Sequence, residues 1–157
     1  MTDKSKLTED ALASINKSIL FPMLQMVNFF AHRYEESIPS EWGISRREYH
    51  ILIVIGAHPD VSAIEICELS GYSQMTVSRR VKNLLKGGKI TKVLDKADKR
   101  KFKLALTDDG WELYKKIIPV GLNLEAEATS CLTKSQIKSL NQILGTLSIT
   151  LTSKPIT

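Results

Sequence analysis

Apolar residues recur along this chain with two different periods, and the change from one to the other marks out its parts. From Thr8 to about Arg33 they fall at helical spacing (Leu12, Ile15, Ile19, Leu20, Met23, Leu24, Met26, Val27, Phe29, Phe30). Thr8 can cap this helix, with Glu9 and Asp10 in the first turn where acids complement the helix dipole. In its second half the apolar set is too wide for one stripe, which predicts burial on more than one side. Pro22 predicts a kink, and Ser37–Gly43, with Pro39 and Gly43, reads as a loop.

Two short helices and a longer one follow. Ser45 caps the first, with Glu48 three residues on as a capping box, and Tyr49, Leu52, Ile53 and Gly56 at helical spacing up to His58-Pro59. Ser62 opens the segment AIEICELS, ended by Gly71; Ser73 opens the next helix, where Val77, Val81, Leu84 and Leu85 form one stripe before Gly87-Gly88. The period then becomes two. Ile90–Leu94 (ITKVL) and Phe102–Leu106 (FKLAL) alternate apolar and polar residues, and the charged loop Asp95–Lys101 joins them into a hairpin. Thr107 caps a long helix carried by Trp111, Leu113, Tyr114, Ile117 and Ile118; Pro119 and Gly121 predict a kink or a break, with periodicity continuing to Cys131. Thr133 and Gln136 make another capping box, opening a last helix with Ile137, Leu140, Ile143, Leu144, Leu147 and Leu151 on one face.

Charge changes this picture most. Between Tyr72 and Lys103 lie eleven of the 22 Lys and Arg residues against only Asp95 and Asp98, a window of net +9 in a chain of net +5. The remainder is therefore net negative, so the basicity is one face and not a general bias. A polyanion such as nucleic acid is what such a face suits. Otherwise 157 residues with 43% apolar and 25% charged side chains fit a single globular domain. The most apolar stretch, Ile19–Phe30, is about half the length that spans a bilayer, and the polar first ten residues lack a secretory pattern, so a cytoplasmic protein without a membrane segment is expected. Cys67 and Cys131 make no disulfide framework and read as buried small hydrophobes.

Two helices joined by a tight Gly71-Tyr72 turn form a helix-turn-helix, and the hairpin behind them makes it a winged helix. The fold class is thus mainly α with a small β-hairpin wing. If Val77, Val81, Leu84 and Leu85 dock the second helix on the core, then Gln74, Met75, Thr76, Ser78, Arg79 and Lys82, next to the cap Ser73, stay available to a major groove. Gln can bond adenine bidentately, Arg guanine, and Thr or Met can touch a thymine methyl. A solvated amphipathic helix would show the same stripe; the basic wing directly after it favours the DNA reading.

In this order the motifs carry a resemblance. Ser45-Arg-Arg-Glu-Tyr49, Ser70-Gly-Tyr-Ser73 through Val77-Ser78, the wing Asp95-Lys-Ala-Asp98-Lys-Arg100 and Leu106-Thr107-Asp-Asp-Gly110 resemble the winged-helix core of the MarR family of transcriptional regulators. Two departures stand out: Gly43-Ile44-Ser45 replaces the usual Leu-Thr entry, and Gly87-Gly88 replaces a single Gly. The resemblance implies one MarR-like domain over residues 1–157, with a DNA-binding core at 44–114 flanked by dimerisation helices at 8–36 and 119–152. It also implies a homodimer on a palindromic operator, most often as a repressor. Arg100 would enter a minor groove at the wing tip, with Asp98 holding the turn or the Arg and Lys96, Lys99 and Lys101 beside it. A family cleft between dimer region and winged helix would place Met23, Met26, Phe29, Phe30, Trp42 and Tyr49 as walls for a small apolar or aromatic effector, although ordinary core packing explains the same residues.

Other chemistries lack a basis. No phosphate-cradling Gly loop, nucleophile elbow or metal-ligand spacing is present, so neither an enzyme, a metal site nor a cofactor is expected. The alternative is a winged-helix module that binds RNA or a protein partner without ligand control.

Overall fold

The computed structural model describes residues 11, 14, 15, 17–95 and 102–152. They divide into two compact units, up to Ser37 and from Ile38 onward.

In the first unit the expected long helix does not form with a kink at Pro22. Helical residues at 11, 14, 15 and 17 are followed by an irregular Ser18 and a bend at Ile19, and a new helix, α1, runs over Leu20–Ser37. Pro22 thereby falls in a first turn, where its missing N–H would have had no intrahelical partner anyway. The Ser18 hydroxyl accepts the Leu20 N–H at 3.2 Å, serving one of those orphan donors. No residue of α1 is buried, and Leu20, Phe21, Leu24, Val27 and Phe29 are each more than half exposed.

The second unit is built around α2 (Arg46–Ala57), which packs against α3 (Ala63–Ser70), α4 (Gln74–Lys86), β2 (Phe102–Leu106) and α5 (Asp108–Thr129). A single 3-10 turn, Ser40–Trp42, interrupts the expected loop before it. The local signals act as expected. Ser45 with Glu48, Ser62 with Glu65 and Thr133 with Gln136 form reciprocal capping boxes, and Gly71 ends α3 in the left-handed region at φ 69°, the conformation glycine adopts without a Cβ penalty. Ile51, Leu52, Ile55, Ile66, Val77 and Ile117 fill the centre of the core.

Strand β1 (Ile90–Leu94) pairs antiparallel with β2 in the register Ile90↔Leu106 to Leu94↔Phe102. A bridge from Val61 adds to the inner edge, the Leu104 N–H donating to the Val61 carbonyl at 2.8 Å. Thr107 ties the base of this hairpin to α5: its hydroxyl donates to the Gly88 carbonyl at 2.6 Å and accepts the Gly110 N–H at 3.0 Å. Of the kink or break expected at Pro119, the break does not occur: α5 is continuous to Thr129. The last helix, α6 (Lys134–Thr152), has no buried residue and exposes Leu140, Ile143 and Leu144.

The cysteines also differ from expectation. Ile66 takes the core position of α3, so Cys67, about 100° further round the helix, is only half-buried; Cys131 lies in the surface connection after α5 and is exposed. Among the described residues no helix is long and apolar enough to cross a membrane.

Candidate nucleic-acid interface

Helix α4 carries the candidate site. Its cap is Ser73, whose hydroxyl accepts the Thr76 N–H at 3.4 Å and lies 3.0 Å from the Thr76 hydroxyl. Val77, Val81 and Leu84 are buried, and this stripe fixes which side faces out. Gln74, Met75, Ser78, Arg79, Lys82 and Lys86 are exposed, Met75 at 82%, whereas Thr76 is half-buried. An apolar thioether held in water at the head of a helix, between an amide and two cations, is a surface suited to contact.

The turn before α4 is held by aromatic and polar contacts. Tyr72 places its hydroxyl 3.2 Å from His50 Nδ1, the two rings meeting edge to face. Burial, and secondarily the positive charge of Arg46, holds the His50 pKa below its ordinary value, so the imidazole is neutral near pH 7.

The basic window is less uniform than its composition. Arg79, Lys82 and Lys86 form no ion pair among the described residues, and Lys92 stands 5.7 Å from the centre of the Phe102 ring. Lys103 is instead committed to the fold: its ammonium donates to Glu65 at 3.1 Å and lies 3.8 Å from Asp95, joining β2 to the first turn of α3. Hydrogen bonds from the Ser62 hydroxyl and N–H, then from Lys103, hold the Glu65 pKa at about 2. Arg80 is likewise turned inward, toward Glu48. Sequence reasoning had no place for either commitment, although position 80 lies three residues from the buried Val77 and so at the flank of the stripe.

Lys96, Asp98, Lys99, Arg100 and Lys101 lie outside the described residues. The candidate effector walls fall on separate units: Met23, Met26, Phe29 and Phe30 on α1, Trp42 and Tyr49 in the second. Tyr49 is a core residue, 2% exposed, with its hydroxyl donating to the Ile117 carbonyl at 2.9 Å. No cluster of three or more metal-ligating side chains occurs among the described residues.

Against known proteins, residues 42–101 match the MarR family. Over that stretch the chain is similar to the MarR family. It is 27% identical over 143 residues to the uncharacterised HTH-type transcriptional regulator YwaE of Bacillus subtilis, covering 89% of this chain and 84% of that protein. Its fold matches CouR from Rhodococcus jostii bound to p-coumaroyl-CoA, with a TM-score of 0.78 at 13% identity over 91% of this chain and 98% of that one. It also matches the S. aureus MepR–DNA complex, with a TM-score of 0.76 at 17% identity over 85% and 96%.

Proposed function

We propose that this chain is a MarR-family transcriptional regulator, a homodimeric, sequence-specific binder of duplex DNA that acts as a repressor on a palindromic operator and is released by a small apolar or aromatic effector. The observation that carries the reading is the outer face of α4: Gln74, Met75, Ser78, Arg79 and Lys82 stand exposed opposite a buried stripe, inside a window of net +9. In this reading α4 enters the major groove. The wing, through Arg100 with Asp98 and flanking Lys96, Lys99 and Lys101, reaches the adjacent minor groove. The exposed apolar faces of α1 and of α6 support the dimer, since such surface on a lone chain calls for a partner. A two-fold axis would then present two copies of α4 about one DNA turn apart, ~34 Å. That CouR is seen with p-coumaroyl-CoA and MepR with DNA supports both ligand classes.

Selection of duplexes from a randomised library by the full-length protein tests this. The expected product is an inverted repeat with half-sites about one turn apart; recovery of no common motif would contradict it. Thermal shift against a panel of aromatic acids and their thioesters tests the effector, with stabilisation and loss of DNA binding expected from the same compound.

A further inference from the structure

Four cations stand on α4, and the fold treats one of them differently. Arg79, Lys82 and Lys86 are exposed. The Arg80 side chain keeps only 20% exposure, and its Nη1 lies 3.6 Å from Oε1 of Glu48 in the first turn of α2. The same Oε1 accepts a 2.8 Å hydrogen bond from Asn83 Nδ2. Oε2, the other oxygen, accepts from the Ser45 N–H and the Ser45 hydroxyl, each at 2.8 Å. Glu48 is 6% exposed, the one buried charged residue among those described. One carboxylate thus joins the start of α2 to two positions of α4 that are three residues apart and so lie on one side of the helix.

Apolar packing and hydrogen bonds constrain a helix differently. Val77, Val81 and Leu84 hold the axis of α4 against the core, but dispersion contacts are individually weak and tolerant of small rolls. Hydrogen bonds weaken steeply off their preferred angle. The outward side chains of a helix end about 6 Å from its axis, so a roll of about 20° moves their tips by about 2 Å, enough to break a base contact. A bond at Asn83 and an ion pair at Arg80, both on the flank, resist that roll. The arrangement also has a cost in the fold: Arg80 Nε is buried with no hydrogen-bond partner, which is sustained only while an ionised carboxylate faces the guanidinium.

We propose that Glu48 is the positioning residue of the DNA-reading helix: through Asn83 and Arg80 it fixes the roll of α4, and Arg80, though it sits in the basic window, is withheld from phosphate. This rests on α4 being the helix that enters DNA. Two consequences separate it from ordinary charge attraction. Loss of Arg80 removes a cation without removing a phosphate contact, and loss of the Glu48 charge releases a cation that can then reach phosphate.

The test measures binding of the wild type, Arg80→Met and Glu48→Gln over a range of salt. The probes are the duplex that the wild type recovers from a randomised library and a scrambled duplex of equal length. For Arg80→Met we expect an unchanged slope of log affinity against log salt and about a tenfold fall in the ratio of recovered to scrambled affinity, the size of a misplaced base contact. For Glu48→Gln the ratio falls similarly, while scrambled DNA binds tighter with a slope steeper by about 1–2, one added phosphate contact per chain. A shallower slope for Arg80→Met with its ratio intact makes Arg80 an ordinary phosphate contact and overturns the inference alone. A wild type with no preference between the duplexes overturns the DNA reading as well. Should Glu48→Gln not fold, Asn83→Ala at an exposed position carries the same test, with a lower ratio and an unchanged slope expected; an unchanged ratio contradicts the clamp.

Discussion

Two neighbouring side chains, Glu48 and Tyr49, set the interior of α2 against two other helices, and each makes a measurable claim. Burial opposes ionisation of Glu48, but hydrogen bonds from the Ser45 N–H, the Asn83 amide and the Ser45 hydroxyl, with the Arg80 charge, outweigh it and leave the pKa below the ordinary 4.5. A carboxylate depressed in the fold contributes stability that is present above its unfolded pKa and lost as pH falls through the folded one. Acid unfolding followed by circular dichroism should therefore show wild-type stability declining as pH drops below about 4.5, with the decline shallower in Glu48→Gln. Equal acid sensitivity of the two proteins would deny Glu48 that role. At Tyr49 the hydroxyl reaches the Ile117 carbonyl inside the core, so Tyr49→Phe should cost about 0.5–1.5 kcal/mol in chemical denaturation, the net worth of one such bond. A neutral result would mean that Ile117 loses nothing by it.

At the level of elements, helix starts and the hairpin were legible in the sequence because capping and period-two alternation are local. Ser45, Ser62, Ser73, Thr107 and Thr133 all open helices as read. Pro22 was misread because the effect of a proline depends on where the helix begins, which Ser18 decides there; at Pro119 no break occurs, the helix running on past the buried Ile117 to the buried Leu124. The outer face of α4 could be read from its stripe, but the inward turn of Arg80 could not, since its partner lies 32 residues away in sequence. Gly110 is a tighter test of packing. A Cβ there would collide with the backbone carbonyl of Lys89 at the wing base, which cannot swing aside as a side chain can. Gly110→Ala should thus destabilise by at least about 1–3 kcal/mol, measurable as a lowered unfolding midpoint. For the wing tip we expect a guanidinium to matter more than charge: a planar group fits a narrow A·T-rich minor groove, so Arg100→Lys should lose affinity while Lys99→Arg stays nearly neutral. Asp98→Ala should weaken binding despite removing a negative charge, and tighter binding would favour simple electrostatics.

The whole molecule segregates its charge and its apolar surface. The net +9 window holds the winged-helix face, while α1 and α6 expose leucine, isoleucine, methionine and phenylalanine that a lone chain leaves in water. Light scattering at micromolar concentration should give about twice the 17.6 kDa chain mass; a monomer that still binds one palindrome tightly would contradict the dimer. Whether α4 reads duplex DNA by its bases is decided by competition binding. A labelled duplex carrying the inverted repeat that the protein selects would be challenged, at one fixed salt concentration, with the same unlabelled duplex, its single strands and an RNA hairpin of equal charge. Only the duplex should compete strongly, because base edges displayed in a major groove carry the preference. Equal competition by the single strands or the hairpin would show a surface that responds to charge alone, and would contradict base reading by α4.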